Sequence, residues 1–181
     1  MSVLAAAPKP AWLKVKVGIG ERYQQVLKNV SSNSLHTVCQ EARCPNIADC
    51  WNRGTATLMI LGDVCTRSCG FCAVKTGKPP VYDEGEPARV AESVRMMGID
   101  YVVITSVDRD ELPDGGSTIW AKTINVVKAV NPGIRIEVLT PDFKGSREAL
   151  ARVIEARPDV FAHNIETVRK LQRSVRPQAD Y

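Results

Sequence analysis

From about residue 57 onward, short runs of β-branched and aliphatic residues alternate with longer stretches of helical spacing. Four of these runs are predicted to be strands, at residues 57–61, 101–105, 134–139 and 160–165. Strands that alternate with helices at intervals of roughly 30 residues indicate βα units on a parallel sheet. The sequence therefore predicts an α/β fold with about four βα units.

The segments around these strands predict the helices. Helices are expected at residues 21–28, 88–97, 117–130 and 147–156, and a further one is expected to begin within 167–173. Gly98 suits the end of a helix, because glycine readily adopts the left-handed conformation found there. The proline-rich residues 79–87 predict a turn-rich connection.

Composition and charge exclude several classes of protein. The chain has 181 residues, of which 44% are hydrophobic and 24% charged, as in ordinary globular domains. Its net charge of +4 is mild and its basic residues are spread along the chain, which disfavours nucleic acid as a partner. No apolar run approaches the roughly 18–20 residues that a membrane span needs. The N-terminus lacks the pattern of a secretory signal, so we expect a cytoplasmic protein.

Six cysteines are confined to a short part of the chain and fall into two groups of three. We call them the first triad (Cys39, Cys44 and Cys50) and the second triad (Cys65, Cys69 and Cys72). Disulfides are rare in the cytoplasm, and structural zinc and ferredoxin-type clusters both use four ligands. Three cysteines on one loop can instead hold three irons of a [4Fe–4S] cluster and leave the fourth iron open to a ligand.

The position of the second triad adds to this interpretation. It directly follows the first predicted strand of the βα series, and parallel sheets bind their ligands beyond the carboxyl ends of the strands. The Cys-x3-Cys-x2-Cys spacing is typical of radical S-adenosylmethionine (SAM) enzymes, and Phe71 supplies the aromatic residue often found before the third cysteine. The sequence therefore favours a SAM-binding cluster on this loop.

The residues around both triads resemble those of one family of radical SAM enzymes, the lipoyl synthases. The resemblance runs from about residue 10 to 181. The segments that carry it are residues 39–46, Cys50-Trp51, and residues 70–74, 105–116, 163–168 and 175–177. It implies a partial (β/α) TIM-type barrel of the radical SAM kind over residues 55–181. It also implies an N-terminal extension over residues 1–54 that binds an auxiliary cluster.

The resemblance further implies two [4Fe–4S] clusters with separate tasks. The cluster of the second triad would bind SAM and give one electron to its sulfonium, so that a 5′-deoxyadenosyl radical removes hydrogen from an alkyl chain. The cluster of the first triad would be consumed as the source of two sulfur atoms. These enter C6 and C8 of an octanoyl group on a lipoyl carrier domain, with electrons from a donor such as a ferredoxin or flavodoxin.

Several polar residues near the predicted strand ends are candidates for contacts with SAM. These are Thr105, Ser106, Glu137 and Asn164, with Glu166 beside the last of them. Glu137 is expected to face the barrel interior and to bind the SAM ribose. The charged residues 108–111 are expected to form a binding loop. Four basic residues are candidates for contact with an acidic carrier domain, namely Arg169, Lys170, Arg173 and Arg176.

Lipoyl synthases continue beyond the region that this sequence matches. Their barrels have six units, and a serine of a later Arg-Ser-Ser-Tyr motif is the fourth ligand of the auxiliary cluster. The sequence ends at Tyr181 and Arg173-Ser174-Val175-Arg176 is not that motif, so we expect a truncated chain that makes no lipoyl groups by itself.

Three alternatives stay open on the sequence alone. A non-catalytic iron–sulfur protein would hold the clusters without cleaving SAM. A zinc-binding structural module would be distinguished by metal analysis and by the absence of brown iron–sulfur absorbance. Another sulfur-inserting radical SAM enzyme, such as a biotin synthase relative, is disfavoured because the first triad precedes the SAM loop.

Overall fold

The computed structural model describes Pro10 and residues 18–181. Part of the predicted extension over residues 1–54 therefore lies outside the described residues. None of the described helices is long and apolar enough to cross a bilayer.

Within the described residues, seven strands form two sheets. They are β1 (His36–Thr37), β2 (Thr57–Ile60), β3 (Val64–Cys65), β4 (Lys75–Thr76), β5 (Tyr101–Ser106), β6 (Arg135–Leu139) and β7 (Val160–Ala162). The main sheet has the order β1-β2-β5-β6-β7, in which β1 is antiparallel to β2 and all other neighbours are parallel. Strands β3 and β4 form a separate parallel pair inside the loop of the second triad.

Helices follow three of the parallel strands. The helices are α1 (Glu21–Ser32), α2 (Val38–Glu41), α3 (Ile47–Asn52), α4 (Glu86–Met97), α5 (Ser117–Val130), α6 (Arg147–Glu155) and α7 (Gln172–Val175). Two 3₁₀ turns lie at Phe143–Gly145 and Arg169–Leu171. The predicted alternation of strands and helices is confirmed, and the described residues form an open, partial (β/α) barrel.

Local sequence accounts for the ends of the central helices. Gly98 ends α4 with a left-handed backbone (φ 58°), and the Ser146 hydroxyl accepts a hydrogen bond from the Ala149 amide (3.3 Å) at the start of α6. Helix α4 begins at Glu86, inside the predicted connection, because Pro87 is compatible with a first helical turn.

Two predictions at the end of the chain are wrong. The fourth strand stops at Ala162 rather than at residue 165, because its partner Leu139 is the last residue of β6 and the ladder has no further partner. The helix expected to begin within residues 167–173 is not continuous, and the 3₁₀ turn Arg169–Leu171 and the short α7 take its place. This segment turns back to pack against the cysteine loop, where the Gly70 amide donates to the Val175 carbonyl (2.9 Å).

The two faces of the main sheet have different surroundings. Ile104, Ile136 and Val138 are fully buried on the helical face, where they belong to the same core as Trp120 of α5. The opposite face carries Thr105, Leu139 and their cross-strand neighbours and borders a cavity. The described part of the extension packs on this unit through β1 and through a hydrogen bond from Asn29 of α1 to the Ser93 carbonyl (2.9 Å).

Candidate functional site

The chain leaves β2 through a turn that two buried charged side chains hold in place. Leu61 has a left-handed backbone (φ 68°), which is unfavourable for a residue with a branched side chain. The Glu86 carboxylate accepts a hydrogen bond from the Leu61 amide (2.7 Å), and Arg109 donates one to the Leu61 carbonyl (2.8 Å). These bonds from two later segments of the chain fix the direction in which the loop of the second triad begins.

The second triad lies on the loop that follows this turn. The Arg67 amide points at the Cys65 sulfur (3.4 Å), and the Cys72 amide donates to the Cys69 carbonyl (3.0 Å). The amide and hydroxyl of Thr66 both donate to the carbonyl of Asp108, at 3.1 and 3.0 Å. The loop is therefore attached to the end of β5.

Arg67 lies between Cys65 and Cys69 and is almost completely buried, with 2% of its surface exposed. Its guanidinium donates two hydrogen bonds to Asp110 (2.8 and 2.9 Å) and two to Asp142 (both 2.7 Å). The Asp108 carboxylate lies 3.5 Å away. We call these four side chains the Arg67 network. It joins the cysteine loop to the ends of β5 and β6 with the bidentate geometry that makes arginine–carboxylate pairs strong.

The Arg67 network shifts the pKa values of Arg67 and Asp142. Burial disfavours the charged form of Arg67, but the hydrogen bonds that it donates to Asp142 and Asp110 raise its pKa above the usual range. Burial opposes ionisation of Asp142 too, yet the bond to Arg67 keeps the pKa of that carboxyl low. Residues 108–111, predicted to form a binding loop, thus include two carboxylates of the network together with the buried Arg109, so this segment also has a structural role.

The first triad is held by local helical structure. Cys39 lies in α2, whose first turn is capped by the Thr37 hydroxyl, which accepts a hydrogen bond from the Gln40 amide (3.2 Å). Cys44 follows in a turn, where its own backbone amide donates a hydrogen bond to the Cys39 carbonyl (3.1 Å). Burial raises the pKa of the Cys50 thiol in α3, and the nearby Cys39 and Cys44 raise it further.

One cavity of about 460 Å³ extends from the second triad to the short helix that bears Cys39. All three cysteines of the second triad line it, together with Val38 and Ala42 from the α2 segment of the first triad. Its apolar wall continues over the inner face of the sheet, and its polar side is formed by Thr105, Ser106, Asp108, Asn164, Glu166 and Arg176. The arrangement can hold a ligand with a polar end and an apolar end beside the thiols of the second triad.

Most of the predicted SAM-contacting residues lie at this cavity. Phe71, Thr105, Ser106 and Asn164 line it, although the Thr105 hydroxyl donates to the Leu139 carbonyl (2.9 Å). Glu137 is on the same sheet face but does not line the cavity. Its carboxylate accepts a hydrogen bond from the Tyr101 hydroxyl, so this placement does not support contact with a SAM ribose.

Two arginines at the site were not predicted correctly from the sequence. No local pattern assigns a role to Arg67, which carboxylates that follow β5 and β6 surround. Arg176 is predicted as a contact for an acidic carrier domain, but it is 8% exposed and lines the cavity. Its burial depends on the packing of the α7 segment on the cysteine loop, which no local pattern indicates.

The cysteines fit the clusters that the sequence predicts. All six are free, and soft thiolate ligands suit iron–sulfur clusters and zinc. Among the described residues, the group of three ligand atoms found within 4.8 Å of one another is His36, Glu41 and Asp63, which includes no cysteine.

Comparison with known families agrees with this geometry. The sequence model of the radical SAM superfamily matches residues 59–181, which carry the second triad and the sheet. The model described as the N-terminal domain of lipoyl synthase of the radical SAM family matches residues 5–44.

Curated relatives match nearly the whole chain. Lipoyl synthase from Rubrobacter xylanophilus is 59% identical over 173 residues, which is 96% of this chain and 54% of that protein. Lipoyl synthase from Pyrobaculum calidifontis is 58% identical over 92% of this chain and 58% of its own length. The mitochondrial lipoyl synthase of Nematostella vectensis is 51% identical over 96% of this chain and 60% of its own length.

The chain thus spans little more than half the length of the relatives that it matches. The superfamily match covers well over half of the chain and includes the Cys-x3-Cys-x2-Cys loop, the parallel strands β5, β6 and β7, and most of the residues that line the cavity. The chain belongs to the radical SAM superfamily.

Proposed function

We propose that the chain carries the two cluster sites of a lipoyl synthase-like radical SAM sulfurtransferase. The reaction would insert two sulfur atoms at C6 and C8 of a protein-bound octanoyl group. The observation that carries the proposal is the cavity that extends from the second triad to the helix bearing Cys39, because one group that abstracts hydrogen and another that supplies sulfur must reach the same alkyl chain. The lipoyl synthase relatives support the same reaction.

The second triad would hold the cluster that binds SAM. When bound, the cluster and SAM supply a one-electron reduction of the sulfonium and removal of hydrogen from an unactivated alkyl C–H, which side chains cannot perform. The protein contributes three thiolates, and the Arg67 amide donates towards the Cys65 sulfur. Such hydrogen bonds to sulfur are one of the means by which proteins set cluster potentials.

The polar side of the cavity would bind the amino acid and ribose parts of SAM. Ser106 and Asn164 offer groups that hydrogen-bond, and Phe71 lies exposed at the cavity with an apolar ring. Glu137, whose carboxylate accepts a hydrogen bond from the Tyr101 hydroxyl, stays a predicted ribose contact.

The apolar side of the cavity would accept the octanoyl chain. Val38, Met59, Val103 and Leu139 form a hydrocarbon surface on which an alkyl chain can be held away from water. Val38 is the first residue of the helix that bears Cys39, so this wall is also where the first triad approaches the cavity. A cluster on the first triad would supply the two sulfur atoms from that side.

The proposed reaction requires two partners. One is an octanoylated lipoyl carrier domain, and the exposed Arg169 and Lys170 provide positive charge for contact with an acidic carrier. The other is a one-electron donor such as a ferredoxin or flavodoxin. The proposed location is the cytoplasm, where the thiols stay reduced.

Deuterium transfer tests the proposed substrate. The chain is reconstituted anaerobically with iron and sulfide, reduced with dithionite, and incubated with SAM and a lysine peptide that bears a perdeuterated octanoyl group. We expect deuterium in the 5′-deoxyadenosine produced, and no product from a Cys69→Ala variant. If all the 5′-deoxyadenosine carries only protium while SAM is cleaved, the octanoyl group is not the hydrogen donor.

A further inference from the structure

Arg176 is a buried cation whose hydrogen bonds are incomplete. Its Nη1 donates to the carbonyls of Asn164 (2.9 Å) and Ile165 (3.3 Å). Its Nε is fully buried and has no hydrogen-bond partner among the residues that the structure describes. An unpartnered buried N–H group costs free energy, so its retention in a cavity points to a group that it serves there.

The segment that carries Arg176 is attached to the loop of the second triad. The Gly70 amide donates to the Val175 carbonyl (2.9 Å), and the Ser68 amide donates to the Gln178 side chain (3.3 Å). These contacts flank Arg176 on both sides in sequence. They hold its guanidinium beside the cysteines rather than at the protein surface.

The charge of Arg176 is less neutralised than that of Arg67. Arg67 forms ion pairs with three carboxylates, whereas no ion pair within 4 Å involves Arg176 in the part of the chain that the structure describes. Asp108 and Asp142 are close enough to interact with Arg176, but both face Arg67. Arg176 and Cys69 line the same cavity, and their neighbours in sequence, Val175 and Gly70, are hydrogen-bonded to each other.

We propose that Arg176 is a positioning residue that eases reduction of the cluster at the second triad, an inference that rests on the proposed function. Reduction transfers one electron from the donor to the cluster and adds one negative charge, with no proton moved. A buried positive charge beside Cys69 stabilises that added charge more than it stabilises the oxidised form. The protein therefore uses Arg176 to make the first electron transfer of the reaction more favourable.

The sign of the effect separates this role from a merely structural one. Removing the positive charge destabilises the reduced cluster, so its midpoint potential becomes more negative. Loosening the α7 segment instead admits water, which solvates the more highly charged reduced form and makes the potential more positive. The two explanations thus predict shifts in opposite directions.

The test is a redox titration of the reconstituted chain without SAM, in which electron paramagnetic resonance spectroscopy measures the reduced cluster at each potential. The signal of the second triad is identified as the one that a Cys69→Ala variant lacks. We compare Arg176→Met, which removes the charge, with Arg176→Lys, which keeps it. Arg147→Met is the control, because it removes an equal charge from an exposed position in α6.

We expect a more negative midpoint potential in Arg176→Met, a potential near that of the unmodified chain in Arg176→Lys, and no shift in Arg147→Met. An unchanged or more positive potential in Arg176→Met would overturn this inference and leave the proposed function standing. Failure of the unmodified chain to form a cluster on the second triad would overturn both. Failure of deuterium transfer with the expected potential shift would overturn the proposed function alone.

Discussion

The two triads have the same number of thiols but are held in place by different interactions. The first triad depends on neighbours in sequence, namely the cap of α2 and the turn that joins Cys39 to Cys44. The second triad depends on residues far along the chain, above all Asp110 and Asp142, which hold Arg67 from the ends of two other strands.

This difference fits the two tasks that we propose. A cluster that must present an open iron to SAM in one fixed geometry benefits from a loop that the surrounding fold fixes before the ligand arrives. A cluster that is consumed as a sulfur source has to be rebuilt, and a site formed by short helices and turns can open locally without unfolding the sheet. Substitutions around the second triad should therefore lower the free energy of unfolding more than substitutions around the first triad.

The largest effect is expected from Arg67→Met. The change removes the buried cation that pairs with all three carboxylates of the Arg67 network and leaves the exposed Lys144 as the ion-pair partner of Asp110 (3.8 Å). Breaking a buried ion pair in this way costs about 3–5 kcal/mol. We expect a loss of this size in the free energy of unfolding measured in urea, together with loss of cluster binding at the second triad.

The matched control is Arg43→Met in the turn of the first triad, where the arginine is exposed. Its effect should stay within about 0.5 kcal/mol, as is usual for surface positions. Equal effects of the two substitutions would contradict the contrast between the triads.

A smaller effect is expected from Thr37→Val at the first triad. Valine keeps the shape of this fully buried side chain but cannot accept the hydrogen bond from the Gln40 amide. Loss of a helix cap costs about 1 kcal/mol. Urea denaturation should show this decrease, and iron bound by the first triad should fall while iron bound by the second does not. Thr37→Ser, which keeps the acceptor, should restore both values.

The smallest effect concerns Glu86, which holds the turn at Leu61. Burial raises the pKa of this carboxyl above 4.5, so the folded chain binds a proton there more tightly than the unfolded chain does. The resulting stabilisation is complete below about pH 4.5 and is lost as the pH rises through the raised pKa. Unfolding of Glu86→Gln and of the unmodified chain, compared at several pH values, should show the unmodified chain losing stability relative to the variant as the pH rises. A constant difference would show that Glu86 is not perturbed.

The regular part of the fold is predictable because its signals are local. The alternation of apolar strands with amphipathic helices places β5, α5 and β6 within a residue or so of the observed bounds. Gly98 ends α4 as its conformational freedom suggests. The grouping and spacing of the cysteines likewise locate both triads, since metal-binding patterns are contained in short stretches of chain.

What could not be predicted depends on contacts between distant segments. Arg67 is buried because two carboxylates from separate strands meet it, and Arg176 is buried because α7 returns to the cysteine loop. The placement of Glu137 is decided by Tyr101 of the neighbouring strand. Periodicity shows which face of the sheet a side chain lies on, but it does not show which polar group that side chain will hydrogen-bond.

The central claim is that the two triads perform different steps, and one measurement tests it directly. Cys69→Ala and Cys44→Ala variants are prepared in this chain, together with any sequence that its gene encodes beyond residue 181. Each is reconstituted and supplied with SAM, dithionite and an octanoylated carrier domain. The 5′-deoxyadenosine and the sulfur added to the carrier are then both quantified by mass spectrometry.

We predict that Cys69→Ala loses both products, whereas Cys44→Ala still forms 5′-deoxyadenosine but adds no sulfur. If both variants lose SAM cleavage equally, or if Cys44→Ala still adds two sulfur atoms, the division of tasks between the triads is wrong.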